Sequence, residues 1–184
     1  MKNINYFFFL LLFGSSICLS QNKTFEPALN EKFSDSLKTD VTHTYTVELD
    51  SARFVYGKVK QESVDVVIRI MNPENNKIEE FDGPARGNEI FLFETEKSGE
   101  YQIVVSPFEQ EEGKYSFELE VIEPVATTPE AKADQLMLPY SGNDIPGGVI
   151  LVMKDVKTVF EKGYGMANLA YYIPFKTSTS SRVG

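Results

Sequence analysis

The chain of 184 residues carries 18 lysines and arginines against 27 aspartates and glutamates, with one histidine and one cysteine. No Lys/Arg cluster offsets the acidic balance, which excludes nucleic acid and anionic membranes as electrostatic partners, and a lone cysteine excludes a disulfide framework. The length suits one domain of common size and a smaller unit beside it.

At the amino terminus Lys2 precedes an unbroken apolar run from Tyr6 to Phe13, closed by Gly14-Ser15-Ser16. Cys18 and Ser20 then supply small residues at the positions a signal peptidase reads. The run is shorter than the roughly 20 apolar residues a membrane span needs. Residues 1–20 are therefore expected to be a signal peptide, cleaved after Ser20 to release an exported protein, periplasmic or secreted, with no integral membrane span. Acylation at Cys18 is disfavoured, because Ile17 stands where a lipoprotein signal needs a small residue. The mature chain keeps 17 basic and 27 acidic residues, a net charge of -10. Residues 21–41 are polar and poorly periodic and read as a leader, in which the sequon Asn22-Lys23-Thr24 is a chance match.

From residue 42 to 121 short alternating runs take over. Tyr45, Val47 and Leu49 alternate with polar residues; Phe54 and Tyr56 continue the period; Val66, Ile68 and Ile70 repeat it. Ile90 to Phe93 is a solid apolar run, and the sets Tyr101, Ile103, Val105 and Tyr115, Phe117, Leu119, Val121 alternate again. A period of two puts one face in a core and one in water. The separators, such as Asn72-Pro73-Glu74-Asn75-Asn76, Asp82-Gly83-Pro84 and Lys97-Ser98-Gly99, are turn chemistry. This pattern predicts an antiparallel β-sandwich, so the fold class is mainly β. The runs from His43, from Phe54 and from Val64 to Pro73, with the later Ser98-Gly99-Glu100-Tyr101 and Gly113-Lys114-Tyr115, resemble the jelly-roll domains related to bacterial pre-peptidase C-terminal modules. The resemblance implies a jelly-roll-like module that accompanies a secreted enzyme and binds a surface, a polysaccharide or a neighbouring domain.

Residues 122–130, rich in Pro and Thr, read as a linker. Beyond it, Leu136 to Tyr140 can form a short helix, Val149 to Met153 and Thr158 to Lys162 two strands, and residues 154–157 the turn between them. Such a pair does not stand alone. The segment Ile145-Pro146-Gly147-Gly148-Val149, followed by Lys154-Asp155, by Glu161-Lys162-Gly163-Tyr164-Gly165-Met166-Ala167-Asn168, by Ile173-Pro174 and by the Thr179 to Arg182 spacing, resembles the opening of serine β-lactamase and penicillin-binding-protein-like hydrolases. On that resemblance residues 131–184 are the truncated start of an α/β hydrolase domain. Its family hydrolyses amide, ester or β-lactam bonds of a small molecule or peptide through an acyl-serine. A serine there is activated by a lysine three residues on, on the same helix face. No Ser-x-x-Lys follows Gly163-Tyr164-Gly165, and the family's spacing would put the nucleophile directly after Gly184. Two departures stand out: Val156 replaces the glycine usual in the turn, and Ser181 an aromatic residue before Arg182.

No catalytic, cofactor-binding or metal-ligating residue is therefore assigned within the chain. His43 reads as a packed or solvated histidine. Glu109, Glu111 and Glu112, and Glu79, Glu80 and Asp82, read as solvated turns rather than a calcium site, for want of ligand spacing. Gly163-Tyr164-Gly165 lacks the further glycine and lysine of a phosphate loop and reads as tight packing; Tyr164, Tyr171 and Tyr172 are expected to pack on the sheet. The functional expectation is the front part of an exported serine hydrolase. The competing class is a non-catalytic binding module whose sandwich takes a cell-surface glycan or a protein partner.

Overall fold

A computed structural model describes residues 22–180; the expected signal peptide with Cys18, and Ser181 and Arg182, lie outside the described residues. Nine strands build the sandwich: β1 (Lys23–Phe25), β2 (Lys32–Leu37), β3 (His43–Leu49), β4 (Arg53–Gln61), β5 (Val66–Met71), β6 (Lys77–Phe81), β7 (Gly87–Glu94), β8 (Gly99–Pro107) and β9 (Gly113–Pro124). One sheet runs β1-β3-β8-β5-β6 and the other β2-β9-β4-β7. All pairings are antiparallel except that of β1, which lies parallel to β3 with Lys23 beside His43.

The alternation read from the sequence is the alternation of the core. Tyr45 and Leu49, Val66, Ile68 and Ile70, Phe91 and Phe93, Tyr101, Ile103 and Val105, and Tyr115, Phe117 and Leu119 fill the space between the sheets. Tyr45 and Phe117 stack with ring centroids 3.7 Å apart, and Phe91 packs on Phe117 at 5.6 Å, adding the aromatic pair term to area burial. Gly57 lets β4 pass close under this stack: a Cβ there would meet the Phe91 ring at 2.3 Å.

Three features depart from the sequence reading. The segment expected as a leader forms β1 and β2, an edge strand for each sheet. There Phe25 stacks on Tyr45 at 5.0 Å and Leu37 is buried. The pattern of β2 is hidden because Asp35 occupies the inward parity between Phe33 and Leu37, held by Lys23 Nζ at 2.7 Å. In β4 it is Val55 and Val59 that enter the core, so Phe54 and Tyr56 lie on the opposite face and are nonetheless buried. Strand β9 shifts register opposite Tyr56 and Gly57, which turns Val121 outward beside Tyr56 and lets Ile122 pack on the core. The strand also continues to Pro124, into the stretch read as a linker.

After the sandwich come helix α1 (Pro129–Leu136), a 3-10 turn at Leu138–Tyr140, a hairpin of β10 (Gly148–Lys154) and β11 (Lys157–Tyr164), and the short pair β12 (Met166–Asn168) and β13 (Ile173–Pro174). The turn expected at residues 154–157 is a two-residue loop, with Asp155 and Val156 both in the left-handed region at φ 49° and 65°. Among the described residues no helix is long and apolar enough to cross a membrane.

Candidate functional site

The segment that carries the hydrolase resemblance is organised around α1. Thr128 caps the helix, its hydroxyl accepting from the Ala131 amide, and Pro129 opens the first turn with Glu130 beside it. These are the ordinary start signals of a helix, and they place its beginning earlier than the apolar residues alone suggest. Lys132 pairs with Glu94 at 3.3 Å, and Gln135 Nε2 donates to Glu123 Oε1 at 2.8 Å. Glu94 and Glu123 are the two neighbours of Phe54 across the sheet, on β7 and β9. The helix thus straddles Phe54, which accounts for a phenylalanine only 1% exposed on the outer face of a sheet.

From its other side α1 reaches the hairpin. Asp134 Oδ1 accepts from Lys162 Nζ at 2.6 Å and from the Tyr164 hydroxyl at 2.7 Å. Lys162 and Tyr164 hold the Asp134 carboxyl below the usual carboxylate range, while burial and Asp134 push the Tyr164 hydroxyl up to about 12. At neutral pH Tyr164 is therefore a hydrogen-bond donor in a structural clasp and is not poised as a base. Gly147 and Gly165 cross in close contact: a Cβ on Gly147 would fall 1.7 Å from the Tyr164 carbonyl oxygen, and Gly165 has φ 60°. Gly163 lies as tightly against the Phe175 carbonyl, 2.2 Å from where a Cβ would stand. Backbone packing explains the Gly-Tyr-Gly stretch without a ligand. Of the three tyrosines only Tyr164 packs; Tyr171 and Tyr172 are exposed, because among the described residues no further layer lies beside the β12–β13 turn that carries them.

The other candidates separate. His43 is fully buried and shares a 2.5 Å hydrogen bond between its Nδ1 and the Tyr115 hydroxyl, which in turn bonds Tyr45 at 2.7 Å. Burial lowers the His43 pKa and raises both phenols, so this triad is neutral and serves the core. Glu80 pairs with Arg69 of β5 and with Lys77 of its own strand β6, whereas Glu111 accepts from the Asp65 amide and Glu112 from the Thr39 amide. Asp65 and Glu111 line an open groove of about 640 Å³ at one end of the sandwich, with Arg86 across from them. Burial, with Glu111 and Asp82 nearby, raises the Asp65 pKa; burial also raises that of Glu89, whose Oε2 accepts from the Gly83 amide. Among the described residues no three His, Cys, Asp or Glu side chains come together as a metal site. A second groove of about 340 Å³ runs between β6 and β7, lined by Ile78, Glu79, Phe93, Glu96 and Tyr101.

Asp134 and Gln135, which with Lys162 do most to join the parts, went unnoticed in the sequence. The Thr128-Pro129-Glu130 start signal, which falls in the stretch read as a linker, is what could have pointed toward a helix carrying both.

No family model matches the chain and no curated protein matches it. Among solved structures it is similar to the pre-peptidase C-terminal domain of a collagenase from Bacillus anthracis, at 15% identity and a TM-score of 0.45, over 54% of this chain and 97% of that one. It is also similar to a periplasmic inhibitor of g-type lysozyme from Aeromonas hydrophila, at 18% identity and a TM-score of 0.44, over 55% and 98%. A protease from Clostridium perfringens matches at 14% identity and a TM-score of 0.35, over 50% and 27%. What the chain's own geometry establishes is a mainly β protein whose antiparallel sandwich is followed by a helix and a small hairpin unit.

Proposed function

We propose that the chain is the front part of an exported serine hydrolase of the β-lactamase and penicillin-binding-protein-like kind, an extracytoplasmic β-sandwich joined to the opening strands of the catalytic domain. The observation that carries this is the state of β10. Its side chains are largely uncovered, with Val149 38%, Leu151 53% and Met153 54% exposed on one face and Val152 42% exposed on the other, where Ile150 is half-buried. Two strands with both faces wet do not hold themselves together by burial. An apolar strand of this kind belongs inside a larger sheet, as the first strands of such a hydrolase do. Its Pro-Gly entry and Gly-Tyr-Gly exit are fixed by backbone contacts at Gly147 and Gly165. The acyl-serine chemistry would lie in residues after Gly184, acting on an amide, ester or β-lactam bond. Export is supported by the charged, apolar, small-residue order of residues 1–20.

Reading the gene past Gly184 tests the proposal directly: a Ser-x-x-Lys at the next residues is expected, and its absence there sinks the hydrolase reading. With the motif present, the extended protein should gain the mass of an acyl group on that serine when mixed with a penicillin or an activated ester.

A further inference from the structure

The stretch between the sandwich and the hairpin is built as a tie and not as a tether. Val125 donates its amide to the Ala52 carbonyl at 2.9 Å, and the Ala126 amide donates to Gln135 Oε1 at 2.9 Å. The Nε2 of the same glutamine donates to both Glu123 Oε1 and the Pro124 carbonyl. One buried side chain thus closes the connection on itself, using both ends of its amide, and fixes α1 against the end of β9. A buried amide with every group satisfied holds a single geometry, since any rotation leaves a donor or acceptor unpaired. Lys132, one turn earlier on the helix, adds the contact to β7, and Phe54 lies buried between the two anchor positions. The next residue along from Gln135 toward the amino terminus, Asp134, is the one that holds Lys162 and Tyr164 of β11.

We propose that α1 is a rigid splint: Gln135 and Lys132 lock it to the sandwich, Asp134 locks it to the hairpin, and the sandwich thereby fixes the orientation of whatever the hairpin belongs to. The sandwich then acts by placing its neighbour, in addition to any ligand it takes. The splint is independent of the hydrolase reading, because it concerns only contacts between residues 52 and 164.

The test is a distance distribution between spin labels in the full chain, attached at Lys60→Cys on β4 and Thr158→Cys on β11 in a Cys18→Ser background. A single narrow distribution is expected. Asp134→Ala, which touches only the hairpin side, should broaden it severalfold while the thermal midpoint of the sandwich stays put. Gln135→Ala, which frees the other side, should broaden it too. A broad distribution in the starting protein, or a narrow one that survives both substitutions, would overturn the proposal. The sequence beyond Gly184 bears on neither outcome.

Discussion

Replacing Val156 by glycine should stabilise the hairpin although it removes a side chain. Asp155 and Val156 form the two-residue loop between β10 and β11, both at positive φ, the arrangement of a type I′ turn. Aspartate tolerates that region through its short polar side chain, but a β-branched residue does not. The left-handed conformation costs an L-residue roughly 1–2 kcal/mol. Val156 is 90% exposed, so the substitution forfeits no burial to set against the relief. Glycine loses more backbone freedom on folding, by roughly 0.5–1 kcal/mol, which leaves a net gain of about 1 kcal/mol for Val156→Gly. That is about a fivefold change in an opening equilibrium. Native-state hydrogen exchange should show it as a slowing of about that size in the amides of β10 and β11, with those of β3 and β8 unchanged. Val156→Ala, which keeps a Cβ, should recover only part of the effect. Equal or faster exchange in Val156→Gly would refute the reasoning, since a loop without left-handed strain has nothing to release.

Other outcomes follow from the same structure. Because burial lowers the His43 pKa below 6.5, the unfolded chain takes up a proton there before the folded one does. Stability is therefore complete above pH 6.5 and falls as pH drops toward the lowered value, by at most about 1.4 kcal/mol per pH unit; urea midpoints between pH 7 and 5 should show the slope, and His43→Phe should flatten it. Gly57→Ala should destabilise by roughly 1–3 kcal/mol through overpacking against Phe91, read as a lower urea midpoint. A fragment of residues 22–141 should unfold cooperatively near the temperature of the full chain, whereas one of residues 42–121 should melt well below it. The shorter piece lacks β1 and β2 and uncovers Phe54, a side chain whose burial alone contributes roughly 1.5–3 kcal/mol. Equal melting temperatures would show that neither the edge strands nor α1 support the sandwich.

The sandwich was legible because six of its nine strands present a clean period of two or a solid apolar run. Three of the edge strands, β1, β2 and β6, were not: β6 exposes four of its five residues and has no period of two. β1 is three residues long, too short for any period, and in β2 a carboxylate takes an inward position that Lys23, from another strand, and the Ser36 amide make tolerable. Parity in β4 was ambiguous for a different reason. Both of its faces are buried, one by the other sheet and one by α1, so Phe54-Val55-Tyr56 carries apolar residues at every position and alternation loses its meaning. The strained turn was visible as a missing glycine at Val156. The role of Asp134 and Gln135 was not visible, because adjacent polar residues on a short helix read as solvent-facing until the elements on either side are in place. The histidine reads as packed or solvated, without a partner; that partner, Tyr115, lies 72 positions away, a separation at which no local pattern speaks.

The order of strands has a consequence for how the protein is made. Strands β8 and β9, the last two of the sandwich, are also interior ones: β8 lies between β3 and β5, and β9 between β2 and β4. Neither sheet can close until the carboxyl-terminal end of the module has left the ribosome. Pairings between distant segments make such topologies slow to fold in any case, and here the slow step is also the last to become available. Under the proposed export that delay is an advantage: the early strands have only edge neighbours to pair with while the chain is still an extended thread, and the core would assemble on the far side of the membrane.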